Sequence, residues 1–153
     1  MNAIELLKED HDKVDKLFQK VKATPDGDHK ELFEQIKSEL DVHTHIEETI
    51  FYPKLEKEGD EELKKIVLEG VEEHRQAKMF LRELAALADE SEKFDPKMKV
   101  LMEDIAHHVQ EEEGQMFPMV QEQFDEYTLQ MLGDEMDKEK KSFGKTTKSA
   151  GAK

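Results

Sequence analysis

The feature that most constrains this chain of 153 residues is a set of four apolar stripes at helical spacing, each interrupted by acidic or imidazole side chains. The stripes advance in steps of three and four residues, which places their members on one face of a helix. At six stripe positions the chain carries a polar group where a helical bundle ordinarily carries Leu or Ile. The six are His11, His43, Glu47, His74, His108 and Glu112.

The same arrangement occurs twice along the chain. The pair His43 and Glu47 recurs 65 residues later as His108 and Glu112, and a proline follows each pair at the same distance. The two earlier histidines stand 63 residues apart. The two halves therefore predict equivalent helix pairs that bring their polar positions to one level of a common core.

Short connections between the four stripes predict an all-α fold, an up-down-up-down four-helix bundle. Local start and stop signals set the expected ends of the helices. The expected starts are a capping box at Asn2 and Glu5, a second at Asp28 and Glu31, a start near Asp60, and Asp95 followed by Pro96. Gly59 is expected to end the second helix, and Pro53 and Pro118 to kink or end the second and fourth.

A shorter fifth helix is expected over residues 125–141, with Tyr127, Met131 and Leu132 packing back on the bundle. The final residues, 142–153, are rich in Lys, Gly and Ser and nearly free of apolar side chains. Such a composition predicts a disordered tail. The expected organisation is one domain over residues 1–141 followed by this tail.

Composition narrows the classes of function. The formal net charge of −15 disfavours nucleic acid or anionic lipid as a partner, since phosphates attract basic surfaces. The chain has no cysteine, which excludes disulfides and thiolate metal ligands. No apolar run is long enough to span a membrane, and the N-terminus lacks the pattern of a signal peptide. A cytoplasmic protein is the expectation.

Four imidazoles and two carboxylates at one level of a core favour a metal site. Buried carboxylates are costly without a partner, and a cation would satisfy them together with the histidines. Mixed imidazole and carboxylate ligands suit iron, zinc or manganese, and two carboxylates with two pairs of histidines suit a dinuclear centre. His107 with Glu111 has the same four-residue spacing and is the main rival to His108 with Glu112, but the repeat offset and the apolar stripe both favour His108. The alternative is a bundle in which these polar groups are purely structural.

These residues resemble the hemerythrin-like HHE cation-binding domain. The resemblance covers residues 3–120 and rests on the motif His, His-x-x-x-Glu given twice, with an aromatic residue and proline after each pair. It implies two non-haem iron ions with an oxo or hydroxo bridge. By analogy Glu47 and Glu112 bridge the irons. His11 and His43 then complete the coordination of one iron, and His74 and His108 that of the other.

The sequence departs from the oxygen-carrying hemerythrins at one position. Those proteins have a fifth histidine one turn after the histidine of the third helix, and here that position is Lys78. A charged lysine is a poor ligand, so one iron is expected to be a ligand short. The resemblance implies binding of O2, peroxide or NO for sensing, storage or stress response. A peroxide- or NO-handling redox enzyme, iron storage or donation, and repair of iron centres stay open, as do the redox partner and the role of the tail.

Overall fold

Five helices account for nearly all of the computed structural model, which describes residues 1–88 and 90–151, with side chains as far as residue 144. Helices α1 and α2 pack against each other, as do α3 and α4, and α5 lies against α1 and α2. The helices are α1 (Ala3–Ala23), α2 (Lys30–Ile46, Glu47–Phe51 and Tyr52–Glu58), α3 (Glu61–Ala86), α4 (Phe94–Glu111, Glu112–Met116 and Phe117–Gln123) and α5 (Glu126–Gly151). The predicted all-α bundle with a fifth helix is confirmed.

The middle segments of α2 and α4, Glu47–Phe51 and Glu112–Met116, are π-helical turns. Each turn ends where a backbone N–H donates to the carbonyl five residues earlier, and the α-helix that resumes has Pro53 or Pro118 in its first turn. The prolines therefore do not end their helices. A π turn adds one residue, so the buried face moves forward by one position. The predicted stripes continue through Ile50 and Gln115, but the buried residues are the next ones along the chain, Phe51 and Met116.

The helix starts agree with the predictions at two places and differ at two. Asn2 forms the predicted capping box, and Asp60 caps α3. The predicted starts at Asp28 and Asp95 are wrong, because α2 begins after His29 and α4 begins one residue before Asp95. The imidazole of His29 bonds to the Asp95 carboxylate at 3.0 Å and thereby joins the two starts.

Two apolar clusters fill the bundle, one toward each end. In α1, Leu7 belongs to the first cluster and Val14 to the second, with His11 between them. In α3, His74 lies in the same way between Val67 and Ala77. The predicted polar positions thus form a layer between two apolar halves of the core.

Helix α5 covers the outer side of α1 and α2. It packs through Leu129, Leu132 and Met136, whereas Tyr127 and Met131, which were predicted to pack, are 73% and 47% exposed. The helix runs past the expected end at residue 141. The predicted disorder of residues 142–153 stays a prediction, because the side chains beyond residue 144 and the whole of residues 152–153 lie outside the described part of the chain. Among the described residues, no helix is long and apolar enough to cross a membrane.

Candidate metal centre

The structure brings all six predicted residues together in the polar layer. Each is almost fully buried, with between 0% and 7% of its surface exposed. Their donor atoms fall into two groups that share Glu112. That these residues bind metal stays a prediction, but their convergence agrees with the spacing in the sequence.

The four histidines form two pairs. The ring centres of His11 and His43 lie 5.0 Å apart, and so do those of His74 and His108. Each pair joins the two helices of one hairpin, α1 with α2 and α3 with α4. This is the pairing that the resemblance implies for two metal ions.

The two glutamates lie between the histidine pairs. Glu112 directs Oε1 to Nε2 of His11 at 3.1 Å and Oε2 to Nε2 of His108 at 3.2 Å. Glu47 places Oε1 3.0 Å from Nε2 of His43 and 3.2 Å from Nε2 of His74. Each carboxylate therefore contacts one histidine of each pair, as a bridging ligand would.

A carboxylate lies against the outer nitrogen, Nδ1, of every one of these histidines. The Nδ1 distances are 2.6 Å from His11 to Glu113, 3.0 Å from His43 to Asp10, 2.8 Å from His74 to Glu48 and 2.5 Å from His108 to Glu73. Carboxylates in this position orient metal-binding imidazoles and increase their basicity. The sequence analysis missed these four acids. Their signal was present, since each directly precedes or follows a predicted ligand.

Inner atoms of the layer lack hydrogen-bond partners. The unpartnered buried atoms in the described part of the chain are Nε2 of His11, His43 and His108, both oxygens of Glu47 and Oε1 of Glu112. Because the acids on Nδ1 accept a hydrogen bond from the N–H of that nitrogen, a neutral imidazole turns the lone pair on Nε2 toward the glutamates. Lone pairs facing carboxylate oxygens at about 3 Å repel each other unless a cation lies between them, so this donor set fits metal ions.

Protons can take the place of that cation in the metal-free protein. Burial lowers the pKa of His43, but the charge of Glu47 and the hydrogen bond to Asp10 outweigh it and raise the pKa to about 10. Burial also lowers the pKa of His108, but the negative charge of Glu112 outweighs it, and the pKa rises well above its ordinary value. The same ion pairs hold the pKa of Glu112 well below its ordinary value despite burial. Without metal, the layer is therefore held in part by ion pairs in which His43 and His108 are protonated and Glu112 is ionised.

Tyr52 is a member of the layer that the sequence analysis did not identify. Its hydroxyl donates a hydrogen bond to Oε2 of Glu112 and lies 3.4 Å from Nε2 of His74. Gly70 makes room for it, since a methyl group there would lie 3.2 Å from the hydroxyl oxygen. The equivalent residue of the second half is Phe117, whose ring stacks on His11. The two histidine pairs therefore differ, because the pair of α3 and α4 has a phenol where the other has a phenyl ring.

Lys78 points away from the polar layer. Its ammonium group bonds to Glu48 at 2.6 Å, and 43% of the side chain is exposed. Glu48 in turn holds Nδ1 of His74, and the two partners lower its pKa to about 2 although burial raises it. Lys78 is thus connected to the layer through Glu48 and His74, and Tyr52 contacts His74 from the inner side.

The remaining histidines lie outside the layer. His107, the rival of His108, is exposed and pairs with Glu111 at 2.9 Å on the surface of α4. His45 bonds to Glu139 of α5. The structure therefore resolves the choice between the two adjacent histidines in favour of His108 as the buried one.

Comparison with known proteins identifies the fold and the family. Residues 2–120 match the model of the hemerythrin HHE cation binding domain. A crystal structure of a hemerythrin HHE cation binding domain-containing protein from Mycobacterium kansasii superposes with a TM-score of 0.79 and 27% identity, covering 94% of this chain and 87% of that one.

Two curated proteins are related over part of their lengths. An uncharacterized hemerythrin-like protein of Schizosaccharomyces pombe is 29% identical over 86% of this chain and 66% of its own length. A protein of Nostoc named DNA nickase is 27% identical over 78% of this chain and 34% of its own length. The chain thus spans less than two thirds of each of these relatives.

Proposed function

Since the chain belongs to the hemerythrin HHE cation-binding domain family, we propose that it is a non-haem di-iron protein that binds O2 or a related small ligand such as peroxide or NO. The observation that carries this proposal is the set of unpartnered, buried nitrogen and oxygen atoms in the polar layer. The bound ions would be held by the six predicted residues, with the histidines of α1 and α2 on one and those of α3 and α4 on the other. Iron in this environment supplies reversible redox chemistry and positions for exchangeable ligands.

The protein's own residues make the two ion positions unequal. Tyr52 lies on the side of His74 and His108, where oxygen carriers have their additional histidine. In the metal-free protein its hydroxyl donates to Glu112, and a small ligand bound there would accept that hydrogen bond instead. Apolar clusters pack above and below this position. Burial and the charges of Glu112 and Glu47 raise the pKa of Tyr52 well above its ordinary value, so the phenol keeps its proton as a donor in the metal-free protein.

A second function, peroxide or NO handling, is favoured by the same hydroxyl, because a proton donor beside an exchangeable position assists bond cleavage as well as binding. Nucleic acid is not a partner in this proposal, since the net charge of −15 repels phosphates.

The test is the optical spectrum of the anaerobically loaded, reduced protein as oxygen is admitted and then removed, with iron counted on the same sample. We expect two irons per chain and a coloured adduct that fades when oxygen is withdrawn. A centre that oxidises and stays oxidised would exclude reversible oxygen binding and favour peroxide handling, NO handling or iron donation. Fewer than two bound irons per chain would overturn the di-iron proposal.

Tyr52→Phe shows whether the hydroxyl contributes. The variant removes one oxygen from the layer, and Tyr127→Phe on the exposed surface is the matched control. We expect the iron count to persist in both variants, with faster loss of the adduct in Tyr52→Phe alone, because a hydrogen bond to the ligand is lost. Identical spectra and decay rates in both variants would exclude a role for Tyr52.

A further inference from the structure

A second cluster of metal-binding side chains lies at the surface, directly outside the polar layer. It consists of Glu73 from α3 and His107 and Glu111 from α4, whose ligand atoms all lie within 4.8 Å of one another. Nε2 of His107 lies 2.9 Å from the Glu111 carboxylate, and 66% of the His107 side chain is exposed. Two carboxylates brought together beside an exposed imidazole form a donor set that a divalent cation would satisfy.

This cluster is linked to the buried layer through one imidazole ring. Glu73 bonds to Nδ1 of His108 at 2.5 Å, and Nε2 of the same ring is one of the unpartnered atoms that face the glutamates. A cavity of about 150 Å³ lies between α3 and α4 at this point, and its lining includes Glu73, His107, His74 and His108. The cavity therefore joins the surface cluster to both histidines of one pair.

The opposite side of the bundle is covered at the equivalent place. Asp10, the repeat equivalent of Glu73, is only 2% exposed, and Lys140 of α5 pairs with it. The positions equivalent to His107 and Glu111 hold the apolar residues Val42 and Ile46, and Ile46 is fully buried. Helix α5 thus covers the side of the bundle formed by α1 and α2, whereas the side formed by α3 and α4 is accessible to solvent.

We propose that Glu73, His107 and Glu111 form a surface site for a divalent cation that supplies the buried centre through the cavity between α3 and α4. The surrounding charge favours this role, because an acidic surface concentrates cations and accelerates their arrival. Cation binding at the surface stands on the geometry of the cluster alone, whereas the supply role rests on the proposed function.

The test uses Co2+ as the probe, since its visible bands report coordination without oxidation. The variant His107→Asn with Glu111→Gln removes one imidazole and one negative charge from the cluster. The matched control, His45→Asn with Glu139→Gln, removes the same groups from a surface pair with the same 2.9 Å spacing on the other side of the bundle. Calorimetry counts the bound Co2+, and stopped-flow absorbance follows the loading of the buried centre.

We expect the cluster variant to bind one Co2+ fewer than the wild type and the control, and to load the buried centre about tenfold more slowly. An unchanged count would overturn the surface site, and an unchanged loading rate would overturn the supply role. If no protein loads buried Co2+, the proposed metal centre fails, and the difference in count still decides the surface site.

Discussion

Raising the pH is expected to destabilise the metal-free protein through His43. The pKa of this imidazole rises from 6.5 to about 10 in the folded protein. A raised pKa means that the folded state binds the proton more tightly than the unfolded state, so the stabilisation is complete below pH 6.5 and is lost as the pH approaches 10. At 1.36 kcal/mol for each tenfold change in proton affinity, the contribution is on the order of 5 kcal/mol.

A loss of that size is comparable to the whole stability of a small domain, which is about 5–15 kcal/mol. Urea unfolding of the metal-free protein at several values between pH 6 and pH 10 measures it directly. His43→Gln, which cannot carry the proton, should unfold at lower urea than the wild type at pH 6 and show a shallower dependence on pH. A wild-type free energy of unfolding that stays constant from pH 6.5 to 9.5 would refute the reasoning, as would the same slope in both proteins.

The metal-loaded protein should behave in the opposite way. Metal ions displace the protons from the imidazoles, so loading releases protons and the affinity for metal rises with pH. The loaded protein is therefore expected to lose stability on acidification, where protons compete for the same nitrogens. Calorimetric loading in two buffers of different ionisation enthalpy counts the released protons, and a count of zero would contradict the protonated layer.

Two further predictions concern packing and metal removal. Gly133→Ala should strongly lower the midpoint temperature of thermal unfolding, because the added methyl group would collide with the Met1 carbonyl oxygen. The control is Gly114→Ala, whose methyl group would meet nothing within 4 Å. That variant should leave the midpoint unchanged or raise it by the equivalent of up to about 1 kcal/mol. Equal midpoints for the two variants would contradict this close approach of α5 to the N-terminus. Removing metal with a chelator should lower the free energy of unfolding by about 2.7 kcal/mol relative to protein with free metal at 100 times its dissociation constant, and an unchanged midpoint would mean that nothing is bound in the fold.

The spacing of polar residues within apolar stripes was sufficient to predict the bundle and the convergence of six side chains. Periodicity reports which face of a helix is buried, and a burial pattern repeated in four helices leaves few ways to arrange them. The same argument separated His108 from its exposed neighbour His107. What could be predicted is therefore what depends on the face of a single helix.

The features that the sequence analysis missed depend on contacts between helices. Tyr52 faces the layer because the preceding π turn advances the buried face of the helix by one residue. Apolar spacing in the sequence does not reveal such a turn, and the proline that follows is its sole local sign. The bond between His29 and Asp95, which joins the starts of α2 and α4, links residues that are 66 positions apart in sequence. Of the three residues predicted to pack from α5, Leu132 does so, whereas Tyr127 and Met131 are exposed and Leu129 packs in their place.

The repeat makes the two halves of the polar layer alike in their histidines and glutamates, and the fold then makes them differ in access. Equivalent positions carry Tyr52 beside one histidine pair and Phe117 beside the other, so the hydroxyl donor is present on one side of the layer. Asp10 is covered by α5, whereas its equivalent Glu73 borders a cavity open toward solvent. Both differences fall on the side of His74 and His108. Exchange of ions and small ligands is therefore expected there, and the pair formed by His11 and His43 would be the protected half of the proposed centre.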